Sequence, residues 1–395
     1  MAGHSQELPL GSAPVRDAHT EQLPARRPPT RPLVSDPQRP NPRQEGNAAG
    51  LELRGLGKRF GDRAAVDGVN LSIGAGELMV LLGPSGSGKT TLLRMVAGLE
   101  APTGGEIRIA GERMDADTPP RARGIAMVFQ SYALYPHRTV FQNIAFPLEA
   151  IRLPRRQIEE KVRWAAEMFH IDAHLERYPR QLSGGERQRV ALCRALVRDP
   201  KLFLFDEPLA SLDAKLRHTA RDELKRFQRR IGIACLYVTH DQIEAMGLGD
   251  RIAVMHAGKL RQVGTPLEIY QDPADTFVAT FIGQPPMNLI GPGDATRPPR
   301  TLLGFRPEDF RPRAVFADGE EFLALRFHVV RIEYLGSDRY AYGTIPASGS
   351  PDATVIARLP GASGPRIGEG ETHEFAVSRR AIRYFDAATG ARRLP

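Results

Sequence analysis

The stretch Leu78-Met79-Val80-Leu81-Leu82-Gly83-Pro84-Ser85-Gly86-Ser87-Gly88-Lys89-Thr90-Thr91 decides the fold of this chain. Its first five residues are apolar without alternation, the pattern of a strand covered on both faces in a parallel sheet. Gly83 to Thr90 then fits GxxxxGK[ST] with no substitution, and Lys89–Ala97 continues as a helix. Strand, loop and helix therefore stand in the register of a phosphate-binding loop, which an ordinary glycine turn would not require. The chemistry explains the residue types. Glycines lack the Cβ that would keep backbone N–H groups from converging on phosphate oxygens. The helix N-terminus adds unpaired donors and a favourable dipole. Lys89 brings a point charge to the β- and γ-phosphates, and the Thr90 hydroxyl is a ligand for Mg2+.

Outward from this loop, residues 51 to about 234 alternate short apolar runs with helical patterns, which is how an α/β sheet reads. Buried strands are expected at Ile125–Phe129, Leu202–Phe205 and Cys235–Val238, and helices at Glu186–Val197 and Ala214–Arg230. The run Leu202–Phe205 ends in Asp206 and Glu207. One acid there would be a plain cap. Two in succession, on a chain with a phosphate loop, suggest a metal-facing Asp206 and a Glu207 aimed at an attacking water, which must lose a proton as it adds to the γ-phosphate. His240 follows the strand Cys235–Val238, and strand C-termini are where such sheets collect ligands. Taken alone, such a residue is more often a structural histidine. Leu182-Ser183-Gly184-Gly185-Glu186-Arg187-Gln188 opens a helix with Ser183 as a good N-cap. Locally this is a capped helix. Chemically it is a second anion-binding terminus on a chain whose first already takes a nucleotide, so the second suits a neighbouring copy.

The remaining segments carry less chemistry. Arg251–His256 and Lys259–Val263 flank Ala257-Gly258 as a hairpin. Pro266–Phe281 reads as one helix, and beyond Gly291 short β-like stretches such as Phe322–Ile332 and Tyr340–Thr344 suggest a small all-β domain. Residues 1–50 hold nine prolines and no hydrophobic period, the composition of a disordered tail. With 395 residues, 41% of them hydrophobic, the chain is long enough for two or three domains and is no collagen. Cys193 and Cys235 form no CxxC and sit in apolar runs, so they read as buried small hydrophobes in a reducing compartment. No run approaches the ~18 apolar residues of a membrane-spanning helix, and the N-terminus has no signal-peptide core. A cytoplasmic protein is expected unless something tethers it. The net charge of +8 is interspersed, with six Arg against five acids in residues 1–50 and fifteen against thirteen in 291–395. No basic run is interleaved with aromatics, so no nucleic-acid partner is expected.

Taken together, these residues resemble the ATP-binding-cassette (ABC) ATPases over about residues 51–285. Six elements stand in that family's order: the P-loop, Gln130 as Q-loop, LSGGERQ as signature, FDEP with Asp206 and Glu207, Ser211-Leu212-Asp213 as D-loop, and His240 as switch histidine. The resemblance implies an α/β P-loop NTPase of the ABC type with a helical subdomain at about 132–200, followed by an OB-like (TOBE-type) domain at 286–395. It implies ATP and Mg2+ as cofactors, and a head-to-tail cassette dimer, either a homodimer or a heterodimer with a close paralogue. Each ATP would lie between one P-loop and the other subunit's signature. On that carry-over Glu207 is the general base, with His240, Lys89 and Gln130 completing the catalytic set. Thr90, Gln130 and Asp206 serve the metal. Phe60, Gly83, Pro84, Ser85, Gly86, Ser87, Gly88, Lys89, Thr90 and Thr91 bind the nucleotide, and Ser183, Gly184, Gly185 and Asp213 bind the partner's. Phe60 is the adenine-stacking aromatic; a core phenylalanine is the plain alternative.

Finer wording narrows the likeness. Phe129-Gln130-Ser131-Tyr132-Ala133-Leu134-Tyr135-Pro136-His137 and Leu209-Ala210-Ser211-Leu212-Asp213-Ala214-Lys215-Leu216-Arg217 resemble the importer branch that takes up sugars and related solutes. Gln284-Pro285-Pro286-Met287-Asn288-Leu289 and Gly304-Phe305-Arg306-Pro307-Glu308 resemble the entry to its regulatory domain. Only about fifteen residues separate Asn288 from Gly304, so a shortened first OB-like subdomain is expected. The branch implies two permease subunits, an extracytoplasmic solute-binding protein, and a peripheral place on the cytoplasmic face of the inner membrane. Polyamine, iron and sulfate importers share the architecture. A cassette ATPase of translation or DNA repair is the rival class, but the single P-loop and the lack of a long insertion argue against it.

Overall fold

The computed structural model of the chain describes residues 50–210, 212–291, 301–317, 319–346, 352–361 and 366–393, without the side chains of residues 214–216. The expected tail up to residue 49 and Ser211 of the expected D-loop lie outside the described residues.

The continuous apolar runs form the centre of a six-stranded sheet in the order Lys259–Gly264, Arg251–His256, Leu78–Leu82, Ala234–Thr239, Leu202–Asp206, Ile125–Val128. Five of the strands are parallel, and the hairpin strand Lys259–Gly264 is antiparallel at the edge. Successive side chains of a strand point to opposite faces, and both faces are covered. Leu78, Val80, Leu82, Phe203, Phe205 and Tyr237 pack into one cluster with Ile144, Val162 and Val190 of the helices Val140–Ala150, Arg155–Met168 and Gly184–Leu196. Met79, Leu81, Leu204 and Leu236 face the other way, onto Leu92 and Val96 of the helix Lys89–Ala97. A four-stranded antiparallel sheet, ordered Arg63–Ile73, Leu51–Phe60, Gly104–Ile109, Glu112–Met114, adds Leu53, Val69 and Ile107 to that second cluster.

Register then gathers the chemistry. Leu82 lies opposite Thr239, and Asp206 opposite Val238. The residues that follow, Gly83, Glu207 and His240, therefore leave the sheet at one edge, the carboxyl end of the parallel strands. The fully buried Arg123 secures the far end of the P-loop helix. It donates to Met95 O at 2.8 Å, Val96 O at 3.0 Å, Thr118 O at 2.9 Å and Asp115 O at 3.3 Å.

Three expectations are corrected. Pro266–Phe281 is two helices, Pro266–Gln271 and Thr276–Phe281. Pro273 has no N–H to continue the first and disfavours helical backbone at Asp272, which sits at φ −130°, ψ 66°. Asp275 starts the second by accepting from Val278 N at 2.8 Å. The strand expected to reach Phe129 ends at Val128, and the helix expected from Glu186 begins at Gly184, because Ser183 already caps it.

Beyond Met287 two further sheets form. Asn288–Ile290, Thr301–Phe305, Arg383–Asp386 and Arg392–Arg393 make one, and five strands from Arg311–Pro312 to Thr372–Ser378 make the other around a core of Phe310, Phe327 and Phe375. Arg306 ties them to the preceding helices by donating to Tyr270 O at 2.6 Å, Ala279 O at 3.1 Å and Ile282 O at 2.5 Å.

Candidate functional site

The loop between strand and helix is built by its glycines. At Gly83 an added Cβ would lie 2.2 Å from Met255 O, and at Gly88, where φ is 102°, it would lie 2.2 Å from Ala65 O. Backbone packs too closely at both points for any side chain. Gly86, at φ 77°, has nothing within 4 Å of such a Cβ, so here glycine serves conformation and leaves open space above the loop. Lys89, 5% exposed, folds back onto the loop. Its Nζ donates to Gly83 O at 2.8 Å, Pro84 O at 2.9 Å and Ser87 Oγ at 3.4 Å. Burial pulls the Lys89 pKa below its ordinary value, while Glu207 and Asp206 act the other way.

Those two acids end the strand Leu202–Asp206. Burial first, then the Glu207 charge, raises Asp206 above the ordinary carboxylate range, against the pull of Arg94 and Lys89. Glu207 turns out of the strand at φ 46°, a left-handed backbone that costs a non-glycine residue about 1–2 kcal/mol. Its N–H donates to Val238 O at 3.0 Å. The turn brings Glu207 Oε2 within 3.1 Å of His240 Nδ1. In the tautomer that carries its proton on Nδ1, His240 donates to this oxygen and leaves Nε2 free of the contact.

Phe60 and the loop share one cleft of about 590 Å³, lined by Phe60, Arg63, Ala64, Ala65, Gly86, Ser87, Gly88, Lys89, Thr90, Thr91, Ala257 and Gly258. Phe60 is 50% exposed, so it is not a core residue, and Lys58 Nζ lies 4.9 Å from its ring centre. A half-exposed ring beside a basic, donor-rich loop fits a nucleotide, with base on the ring and phosphates on the loop. Thr90 is exposed next to Lys89, and Asp206 ends the strand next but one in the sheet; hydroxyl and carboxylate oxygens are the hard donors that Mg2+ takes together with waters and phosphate.

Not all the expected residues meet. Ser183 caps the helix Gly184–Leu196 in a reciprocal pair with Glu186: Glu186 N donates to Ser183 Oγ at 3.3 Å, and Ser183 N to Glu186 Oε2 at 2.6 Å. Gly185 is open, while a Cβ on Gly184 would touch Leu212 at 3.1 Å, so the signature packs on the segment before Asp213. Among the described residues no hydrogen bond or ion pair joins Ser183, Gly184 or Gly185 to the P-loop. Gln130 and Asp213 are exposed. Arg63, Ala64, Ala65, Ala257 and Gly258 escaped the sequence reading. Ala65 acts through its backbone, its carbonyl oxygen sitting under Gly88 and Gly258, and the turn residues Gly61 and Gly258 were the signal available.

The family model for the ABC transporter matches residues 66–210. The sn-glycerol-3-phosphate import ATP-binding protein of Rhizobium meliloti (strain 1021) is 48% identical over 352 residues, covering 86% of this chain and 99% of the relative. The trehalose/maltose import ATP-binding protein of Thermococcus litoralis is 45% identical over 378 residues, covering 87% of this chain and 99% of the relative. Among solved structures, cbiO1 from Clostridium perfringens, part of the ABC transporter complex cbiONQ, is similar with a TM-score of 0.53 and 29% identity, over 56% of this chain and 90% of its own.

Proposed function

The chain belongs to the ABC transporter ATPases, and from that premise we propose that it powers an importer for a glycerol phosphate, a sugar or a similar polyol by hydrolysing Mg·ATP in a pair of cassettes. The observation that carries the reading is the meeting of an anion-binding loop and a carboxylate–histidine pair at one sheet edge: Lys89 feels both Asp206 and Glu207, and Glu207 Oε2 stands 3.1 Å from His240. The names of the relatives support the solute class.

In this reading the loop N–H groups and Lys89 hold the phosphates, and Phe60 stacks on the base. Mg2+, when bound by Thr90, Asp206 and Gln130, neutralises phosphate charge. Glu207 takes the proton from the attacking water at its free carboxylate oxygen, while Nδ1 of His240 holds the other in place. Phosphoryl transfer is mostly positioning and charge stabilisation, so the fixed dipoles and the single base are sufficient chemistry. The exposed start of the signature helix (Ser183, Gly184, Gly185, with Asp213) completes the partner cassette's site. Permease subunits, fed by an extracytoplasmic binding protein, would hold the pair against the cytoplasmic face of the membrane; among the described residues no helix is long and apolar enough to cross it.

The test is a tagged Glu207→Gln chain captured with ATP from detergent-solubilised native membranes, its companions identified by mass spectrometry. Two multi-span permease subunits are expected, and their binding protein can then be screened against glycerol phosphates and sugars by thermal shift. Ribosomal or DNA-repair proteins without a permease would overturn the transport reading.

A further inference from the structure

The loop presenting His240 is held from behind by a buried carboxylate. Glu244 lies in the first turn of the helix Gln242–Leu248 and is 3% exposed. Its Oε2 accepts hydrogen bonds from Tyr237 Oη and Thr239 Oγ1, each at 2.8 Å. Both donors belong to the strand Ala234–Thr239, and the next residue is His240. Thr239 Oγ1 in turn accepts from Asp241 N at 3.0 Å. The residues on either side of His240 are thus tied to one carboxylate, Thr239 directly and Asp241 through the threonine hydroxyl. Asp241 adds a second tether by capping the same helix, accepting from Ile243 N at 2.7 Å and Glu244 N at 3.2 Å. Arg217 Nη1 approaches Asp241 Oδ2 at 3.7 Å from the other side.

Energetics make this arrangement informative. A buried carboxylate is costly unless hydrogen bonds satisfy it, and an apolar side chain of similar volume often stabilises such a seam as well or better. What the carboxylate adds is direction: two convergent bonds fix the strand end relative to the helix. The imidazole needs that help. His240 has a side chain 57% exposed, and its described hydrogen bond is to Glu207, so packing alone does not hold its ring.

We propose that Glu244 is a positioning residue for hydrolysis, holding the Thr239–Asp241 turn so that the His240 ring meets Glu207 and the γ-phosphate in one fixed pose. This deepens the proposed function and rests on His240 serving the reaction. It predicts that Glu244 acts through His240.

The experiment is a double-mutant cycle on the chain, pairing Glu244→Leu, which removes the oxygen that accepts both bonds, with His240→Ala. It reads kcat and KM for phosphate release together with affinity for a fluorescent ATP analogue. Glu244→Leu alone is expected to lower kcat about tenfold, the scale of a misoriented group, with analogue affinity within about twofold. In the His240→Ala background the same change should lower kcat by less than about twofold, because residues acting as a unit are not additive. Thr239→Val, which removes the shared hydroxyl, runs the same cycle should the leucine variant fail to fold, and is expected to lower kcat about threefold. If His240→Ala turns over like the native chain, the reading of His240 falls, and this inference with it. If His240→Ala is slow and the Glu244 effect is equally large in both backgrounds, Glu244 is merely structural and only this inference falls.

Discussion

Replacing Glu207 by glutamine separates the chemistry of the site from its architecture. The side chains are nearly isosteric, and glutamine meets the same left-handed backbone at φ 46° at the same cost, so the turn out of the strand should survive. The amide oxygen can still accept from His240 Nδ1, the contact that spans 3.1 Å in the native chain. What disappears is one negative charge and the ability to take a proton. A positioned general base contributes 10²–10⁴-fold, which is about 2.7–5.4 kcal/mol of barrier. No neighbour substitutes for it: Asp206 remains in line with the strand, where the proposed reading gives it to the metal. Turnover at saturating Mg·ATP should therefore fall at least ~100-fold.

Binding should move the other way. The Glu207 charge opposes the phosphates, so its removal should leave nucleotide affinity unchanged or tighter, although Lys89 loses one of the two charges that favour its ammonium. The assay pairs steady-state phosphate release with titration of a fluorescent ATP analogue and a melting curve. Turnover within about threefold of native, with affinity intact, refutes Glu207 as the base. A parallel loss of affinity and turnover refutes the separation of binding from chemistry at this residue.

Lys89→Ala should leave the fold but weaken nucleotide affinity by at least about tenfold, since it removes the charge that three loop oxygens hold over the cleft; analogue binding checks it. Asp206→Asn should melt higher than the native nucleotide-free chain at pH 7.5. The folded state takes up the Asp206 proton more readily than the unfolded chain, so that favourable contribution is complete below the unfolded pKa of about 4 and is lost as pH rises through the higher folded value. Melting curves at pH 7.5 and pH 3.5 test the sign: the advantage of the variant should vanish at the lower pH. Arg123→Met strips four carbonyls of their buried donor and should cost about 3 kcal/mol or more, seen as a lower denaturation midpoint in urea.

The parts legible in the sequence are those where local rules and tertiary demands coincide. The helix Lys89–Ala97 is the one expected, because the phosphate loop fixes its start and Gly98, at φ 75°, its end. The buried strands were readable because covering both faces removes alternation. The helix over Pro266–Phe281 failed where Asp272-Pro273 interrupts a favourable period, a local signal that outweighs amphipathicity. The cleft walls at Ala64, Ala65 and Ala257 were invisible for a different reason. Their contribution is a backbone carbonyl or empty space, and neither has a residue type. Glu244 was missed because its meaning depends on burial, and a glutamate in the first turn of a short helix reads as an ordinary solvent-facing dipole partner.

The same contrast bears on the proposal that the signature helix serves a neighbouring cassette. The P-loop helix starts at Gly88 with no side-chain cap for its donors, and Gly88 and Gly83 are closed against Ala65 and Met255, leaving open space at Gly86. The signature helix is in the opposite condition. Ser183 and Glu186 already satisfy each other's backbone donors, Gly184 rests on Leu212, and Gly185 faces open space. That terminus needs no ligand to be stable as folded, which a surface designed to meet a second molecule must tolerate until the molecule arrives. A glycine-faced, already capped helix end is therefore suited to closing over a neighbour's phosphates rather than to seating its own. On this reading the energy of nucleotide binding is released at the interface between two cassettes, where it can be passed on as motion.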